Sequence, residues 1–369
     1  MMVQNEQTIK KRFNVVITIL MIILCLTGFI LIASATNVLE TGKYKLVISQ
    51  VIWFCLGLSL YLIFSLIDYR MFANFYVIIY MTMVILLLYV DIKGINVLGG
   101  QRWIKIGPFS FQPSEISKLL MVVFFAKVVT MQENINKFKT LAKVLIFTAI
   151  PIVLVLKQPD LGTASVFVAI IATILFVAGL DLRYFYAAIG ALLVFIPIAW
   201  EFVLHEYQKD RIRIFLNPQL DPMGKGWQVI YSQIAIGSGR VFGKGLFMGT
   251  INRLDYLPVK ESDFIFGVAG EELGFVGCII IIIVYALLIL SLIKIASTCK
   301  DKLGSYIVSG VAGMFGFQMF VNIAMTLGIM PVTGIPLPFV SYGGSSMLTS
   351  MASLGIVQSI YRENIKTMF

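Results

Sequence analysis

The sequence predicts an all-α, polytopic membrane protein: about ten transmembrane helices, both termini cytoplasmic, and a large extracytoplasmic loop between helices 7 and 8. Three observations predict it. Hydrophobic residues fill 59% of the 369 positions and charged residues 13%, against about 25% charge in a soluble chain, and the mean hydropathy is +0.92. The apolar residues gather in ten runs, most of them long enough to cross a hydrocarbon core. The lysines and arginines fall largely between those runs, more on one side than on the other. A soluble globule this apolar would lack the polar surface to cover itself, so the excess faces lipid.

In order, the runs span residues 13–34, 46–66, 72–90, 114–131, 141–156, 161–180, 183–203, 264–293, 305–329 and 338–360. The first follows Lys10, Lys11 and Arg12 and has no small-residue cleavage site, so it reads as a retained helix. With the N-terminus inside, the short inner loops collect Arg70, Lys137, Lys139, Lys143, Arg183, Lys294, Lys300, Lys302, Arg362 and Lys366. The short outer loops hold fewer cations: Lys43, Lys45, Lys93, Arg102, Lys105 and Lys157. That bias sets the orientation, because a long loop such as 204–263 translocates largely regardless of charge. The whole chain, 1–369, reads as one integral membrane domain. Its net charge of +10 then reflects inner lysines meeting anionic headgroups rather than nucleic acid.

The composition also removes several chemistries. His205 is the one histidine, so no multi-histidine metal site is available, and a Ser-His-Asp triad would hang on that residue alone. Cys25, Cys55, Cys278 and Cys299 share no close spacing, which argues against a disulfide framework or metal knuckle. The glycine cluster at 237–245 fails both nucleotide fingerprints. Ser238 stands where a P-loop needs its first glycine, Gly245 follows Lys244 in place of Ser or Thr, and Phe242 replaces the last glycine of a dinucleotide loop. It reads as a flexible basic loop, and no cofactor motif appears elsewhere.

Polar residues concentrate in the outer segments. The first carries Arg102, Trp103 and Lys105, then Phe111-Gln112-Pro113-Ser114-Glu115 with Ser117 and Lys118. Pro113 and Ser114 start a helix, with Ser114 as N-cap, and Glu115 and Lys118 at i, i+3 share a face. Two readings stay open there: an ion pair holding two helices, or the floor of a polar cavity that meets an anionic headgroup. In Lys157-Gln158-Pro159-Asp160-Leu161-Gly162-Thr163, Asp160 caps the sixth span beside its positive dipole end, and capping alone would explain it. The long loop contributes Arg211, Arg213 and Arg240 and exits through Glu261-Ser262-Asp263. Asp263 is either an N-cap of the eighth span or a half-desolvated carboxylate whose raised pKa suits proton abstraction. Glu271 and Glu272 follow within that apolar span. Glu271 lies about 80° around the helix from Asp263 and can share its face, while Glu272 points away. Finally Asn322 and the stretch from Pro331 through Ser341 to Ser346, with prolines at 331, 336 and 338, form a re-entrant outer turn lining a cavity.

Together these segments resemble the SEDS family (shape, elongation, division and sporulation; FtsW/RodA/SpoVE), over nearly the whole chain. The resemblance rests on Gly-Gly-Gln-Arg102-Trp103-Ile, Phe111-Gln112-Pro113-Ser114-Glu115 with Lys118, Gln158-Pro159-Asp160-Leu-Gly162-Thr163, Asp263-Phe264-Ile265-Phe266 with Gly270-Glu271-Glu272-Leu-Gly274, and Pro331 through Ser346. The Gly107-to-Glu115 stretch looks more like the RodA branch. The resemblance implies a peptidoglycan glycosyltransferase that polymerises lipid II, an undecaprenyl-diphosphate disaccharide-pentapeptide, on the outer face of the bacterial cytoplasmic membrane, for elongation, division or sporulation. The family's essential aspartate falls on Asp263, which would take the proton from the acceptor sugar's 4-hydroxyl. Arg102 and Lys118, then Arg211, Arg213 and Arg240, would meet the diphosphate. The family's tryptophan falls on Trp103, and Glu115, Asp160, Glu271 and Ser341 would shape the cavity. It further implies a class B penicillin-binding protein as membrane partner. No cofactor is certain, though a divalent cation (Mg2+ or Mn2+) would suit a diphosphate.

This chain departs from the family pattern at Glu261-Ser262, where His-Thr or Gln-Thr is common, and at Arg240, where glycine is common. Glu261 adds a like charge that raises the pKa of Asp263. Two rival functions remain: a lipid II flippase, and a scaffold that only positions the transpeptidase. A flippase would spread charge along a path to the inner side and show inverted repeats; here the polar residues cluster outside and no repeat is evident. A scaffold would tolerate loss of Asp263.

Overall fold

The computed structural model describes residues 13–366 apart from 43, 98–99, 108, 203–205 and 222–223; Lys10, Lys11, Arg12, Lys43 and His205 lie outside the described residues. Each of the ten apolar runs overlaps a long helix. These helices are α1 (Val15–Ala35), α3 (Lys45–Leu66), α5 (Tyr76–Lys93), α6 (Pro113–Thr130), α7 (Phe138–Lys157), α8 (Leu161–Val177), α9 (Leu182–Phe202), α13 (Ile265–Thr298), α14 (Lys302–Thr326) and α15 (Gly344–Lys366). Short helices fill the connections: α2 (Val38–Thr41), α4 (Tyr69–Asn74), α10 (Glu206–Leu216), α11 (Lys225–Ser238) and α12 (Thr250–Arg253).

Seven of the long helices are long and apolar enough to span a bilayer among the described residues. α6 and α15 are less apolar for a physical reason: both lie inside the bundle. Ser114, Glu115, Ser117 and Lys118 on α6 and Ser346, Thr349, Ser350 and Ser353 on α15 are buried among other helices, where polar groups pair within the protein instead of meeting lipid. The chain is a multi-pass membrane protein.

The structure corrects three local expectations. The segment 95–111 is not merely a polar loop but an antiparallel ribbon of β1 (Ile95–Val97), β2 (Gly100–Ile106) and β3 (Phe109–Phe111), with Ile104 opposite Phe111 and Ile106 opposite Phe109. Ser114 is not the N-cap of α6: Gln112 holds that position with Pro113 at the first turn, and the Ser114 hydroxyl turns to Asp160. Residues 338–343 are not helical, because α15 begins only at Gly344, after the prolines and a double glycine.

α13 is broken at Gly274, whose φ of 66° and ψ of −165° belong to glycine alone. A break frees carbonyls before it and N–H groups after it, and at membrane depth these need partners. The loop from Gly239 to Asn252 supplies them. The backbone N–H groups of Lys244 and Gly245 donate to the carbonyls of Glu271 and Glu272, while those of Phe275 and Val276 donate to the carbonyls of Arg240 and Val241. The two glutamates lock the same loop by side chain. Glu271 accepts from Lys244 Nζ at 2.7 Å and from the N–H groups of Ile251 and Asn252, and Glu272 accepts from Ser34 Oγ at 2.5 Å, Asn252 Nδ2 and Phe247 N–H.

Gly274→Ala tests this interlock. A Cβ at residue 274 would stand 2.2 Å from the Gly243 nitrogen, and the backbone strain alone costs about 1–3 kcal/mol. The purified variant is expected to melt several degrees lower in detergent; an unchanged melting temperature would mean that the break is not obligatory.

Candidate active site

The loop end of the bundle encloses a cavity of about 370 Å3. Non-helical segments, the first turns of α6 and α15, and the helices α10 and α11 build its walls. β2 contributes Arg102 and Trp103, and the start of α6 gives Gln112 and Glu115. The re-entrant segment contributes Thr333, Gly334 and Pro336, and the turn into α15 adds Tyr342, Ser345 and Ser346. Arg211 and Phe215 come from α10, Gln228 from α11, and Ser262 and Asp263 from the turn ahead of α13.

Asp263 does not cap α13. Phe264 occupies the cap position, with no side-chain hydrogen bond, so the carboxylate is left to the cavity. Its backbone is held from two sides. Asn322, fully buried on α14, donates through Nδ2 to the carbonyls of Asp263 (2.9 Å) and Ile335 (2.8 Å), joining the turn to the re-entrant segment. Ser341 Oγ donates to the Ser262 carbonyl at 2.6 Å and accepts from the Leu337 N–H at 2.8 Å. Gln50 on α3 then fixes Ser341 and Gly343 by their backbone. Gly334, at φ 73°, lies so close that a Cβ there would stand 3.4 Å from Asp263 Oδ2.

Burial pushes the Asp263 carboxyl up from 3.8 to about 6. The Ser262 hydroxyl, donating to Oδ1 at 3.2 Å, opposes this, the Glu261 charge adds to it, and Arg102 opposes it again. A carboxyl poised there is ionised at neutral pH yet basic enough to accept a proton.

The cations are placed unequally. Arg102 donates through Nε to the Gln158 carbonyl at 2.9 Å and through Nη2 to the Pro159 carbonyl, with Nη1 3.8 Å from Asp160. It therefore staples the ribbon to the α7–α8 turn while its guanidinium lines the cavity. Asp160 is a hub: it caps α8 through the Thr163 N–H at 3.0 Å and accepts from Gln112 and Ser114. Lys118 is buried behind the wall, 2.7 Å from Glu115 Oε1, in a pair within one helix rather than between two. Arg211 reaches from α10 to the Val332 carbonyl at 3.1 Å.

Arg102, Trp103, Glu115, Arg211 and Asp263 thus share one cavity, with Lys118, Asp160 and Ser341 directly behind its wall. Three residues named from sequence do not line it. Arg213 pairs with Glu206 and Asp210 on the exposed side of α10. Arg240 sits in the loop that seals the α13 break, and Glu271 is spent on that loop. Asp263 lies in the turn ahead of α13, before the Phe264 cap, so the single helical face it was expected to share with Glu271 does not form. Gln228 and the positioning residue Gln50 were not singled out from sequence; Thr333, Tyr342 and Asn322 belonged to the expected cavity-lining re-entrant turn, though without individual roles.

The comparisons decide what this cavity belongs to. A model of the cell cycle protein family FtsW/RodA/SpoVE matches residues 14–366. The chain belongs to that family. It is 38% identical over 360 residues to the peptidoglycan glycosyltransferase MrdB of Escherichia coli K12, covering 97% of this chain and 96% of that one. It is 34% identical over 385 residues to the peptidoglycan glycosyltransferase RodA of Treponema pallidum, covering 85% and 89%. Among solved structures, a chain of a peptidoglycan synthase complex that coordinates polymerization and crosslinking aligns with a TM-score of 0.83 at 31% identity, over 95% of this chain and 98% of that one. The rod shape determining protein RodA of Thermus thermophilus aligns with a TM-score of 0.72 at 28% identity, over 95% and 97%. The chain is a peptidoglycan glycosyltransferase of the family's multi-pass membrane type.

Two outcomes follow from the way Asp263 is held. Because its folded pKa lies above its ordinary value, the ionised form costs stability above about pH 6, and that cost is gone below 3.8. Asp263→Asn is therefore expected to melt higher than wild type at pH 7.5, with the gap closing on acidification; equal melting curves at every pH would show that the carboxylate is not desolvated. Asn322→Ala leaves two buried carbonyls without their donor, at about 1–3 kcal/mol, and is expected to lower turnover more than precursor binding.

Proposed function

We propose that the chain polymerises lipid II into glycan strands on the outer side of the cytoplasmic membrane, with Asp263 as general base. The observation that carries this is a half-buried carboxyl, poised near neutrality, in a cavity that also holds Arg102, Arg211 and uncharged amide and hydroxyl groups. Asp263 takes the proton from the acceptor sugar's 4-hydroxyl, and the oxygen attacks the donor's anomeric carbon. The bond from that carbon to the diphosphate oxygen breaks, and the leaving polyprenyl diphosphate carries away the electron pair. Arg102 and Arg211 stabilise its charge. Glu115 Oε2, buried and without a hydrogen-bond partner, is an acceptor for a sugar hydroxyl, and Trp103 packs against sugar or prenyl chain. Lys118 pairs with Glu115 Oε1, while Asp160 and Ser341 hold Arg102 and the Asp263 turn in place. Arg213 and Arg240 meet headgroups at the surface, and Glu271 secures the loop.

A divalent cation (Mg2+ or Mn2+) would help a diphosphate depart. Among the described residues no group of three or more His, Cys, Asp or Glu gathers to hold one, so the steps are assigned to the chain's own groups. A class B penicillin-binding protein is the proposed partner; the likeness to a synthase complex that couples polymerization to crosslinking supports it. Against transport of lipid II, the cavity is floored by the buried Glu115–Lys118 pair, and the lining arginines belong to its own end of the bundle.

The test is polymer formation from labelled lipid II by the purified protein with its transpeptidase partner blocked. Wild type is expected to make long glycan, and folded Asp263→Ala to lose about 10²–10⁴-fold in rate, the usual share of a general base. Equal polymer from both would remove Asp263 from the chemical step. No polymer from either, with lipid II crossing vesicle membranes, would favour transport. Since the base must be ionised, the wild-type rate is expected to fall as pH drops below about 6, tenfold per unit once well below it; a rate flat down to pH 5 would contradict the assignment.

A further inference from the structure

Beside the cavity lies an aromatic cluster that the mechanism does not use. Trp227 and Tyr231, one turn apart on α11, stack with centroids 4.0 Å apart and planes 27° apart. Tyr256 closes the group at 5.2 Å from Tyr231 and 6.1 Å from Trp227, and Trp227 Nε1 donates to its carbonyl at 2.5 Å. Tyr256 is 39% exposed and the other two are half-buried. The cluster is rigidly based: Ser232 Oγ and Gln233 Nε2 donate to the carbonyls of Thr326 and Leu327 at the end of α14, and Val229 is buried beneath. It is also continuous with the cavity, since Gln228 and Val229 next to Trp227, and Val259 three residues after Tyr256, are cavity wall.

We infer that Trp227, Tyr231 and Tyr256 form a stacking platform for the glycan product as it leaves the cavity, a site for a chain of linked N-acetylated hexosamines. The inference rests on the polymerase reading. A cavity of about 370 Å3 is at the small end for a single ligand, so a growing strand must lie mostly outside it. The prenyl end of each precursor has to reach the bilayer and the strand has to reach water, and the partly exposed rings of Trp227, Tyr231 and Tyr256 are open beside the cavity wall. Pyranose rings present a face of polarised C–H groups that packs on the negative face of an aromatic ring. This binding needs no charge and suits every repeat alike, so it retains the strand between additions without fixing it.

The experiment compares wild type, Trp227→Ala, Trp227→Phe and Tyr256→Ser in the lipid II assay, reading glycan length and precursor consumption together. Trp227→Ala and Tyr256→Ser are expected to shorten the mean chain at least threefold, out of proportion to any change in consumption, with Trp227→Phe restoring most of the length. In parallel, a tetramer of β-1,4-linked N-acetylglucosamine is expected to quench wild-type fluorescence, and Trp227→Phe to lose that quenching. Unchanged chain lengths in all folded variants would overturn the platform. So would quenching of Trp227 by brominated phospholipid with chain length unaltered, which would assign the cluster to the membrane interface. Absence of polymer from wild type would instead remove the polymerase reading itself.

Discussion

Irregular backbone inside an apolar bundle must find its hydrogen bonds within the protein, and the architecture of the site follows from that constraint. Helices satisfy their own backbone but offer side chains only at fixed periods. To bring Arg102, Asp263 and Ser345 around one cavity, the chain leaves helical geometry in the ribbon, the α13 turn and the re-entrant segment. Each departure is met by a buried polar side chain: Asn322 for the carbonyls of Asp263 and Ile335, Ser341 for Ser262 and Leu337, Gln50 for Ser341 and Gly343. These residues touch no reacting atom in the proposed chemistry, yet without them the carboxylate would have no fixed position.

The same constraint separates the acids into two kinds. Glu271 and Glu272 accept backbone N–H groups and a lysine, and Asp160 accepts from a helix start and an arginine. Their charge is consumed in holding structure. Asp263 has Ser262 as its near donor; burial and the charges of Glu261 and Asp160 outweigh that hydroxyl and the charge of Arg102. An acid in that position destabilises the fold when ionised, and that incompletely offset charge is what suits it to the general-base role proposed for it.

Much of this was legible in the sequence. Composition and run lengths placed all ten long helices, because lipid imposes a length and an apolarity that no other environment demands of every helix at once. The site's end of the bundle was legible too, since prolines, glycines and charges crowd there. What was not legible is tertiary. The pairing of Asp263 with Glu271 assumed that the helix already includes Asp263, whereas Phe264 caps it, and Gly274 gave no local sign that the helix breaks there or that a loop would supply its partners. Arg213 and Arg240 read as phosphate ligands because a basic residue in an outer loop looks alike whether it faces a cavity or an acid on its own helix. Gln50 was invisible for the opposite reason: a lone amide in an apolar run is a common thing, and its partners Ser341 and Gly343 lie far away in the chain; Asn322 was read with the re-entrant turn, but not as the donor that holds the Asp263 carbonyl.

The substrate's own chemistry explains why such a site stands at one end of the bundle rather than in its middle. A prenyl diphosphate sugar has an apolar tail, a doubly charged joint and a neutral polar head, and a single protein surface has to meet all three in sequence. In the proposed reaction the helix faces meet the tail, and the arginines at the cavity meet the joint. Amides, hydroxyls and aromatic rings, which hold sugars without charge, meet the head. Asp160 beside Arg102 and Glu115 beside Lys118 balance positive charge around a half-dry cavity, and so leave Asp263 outside any salt bridge, as the proposed proton transfer requires.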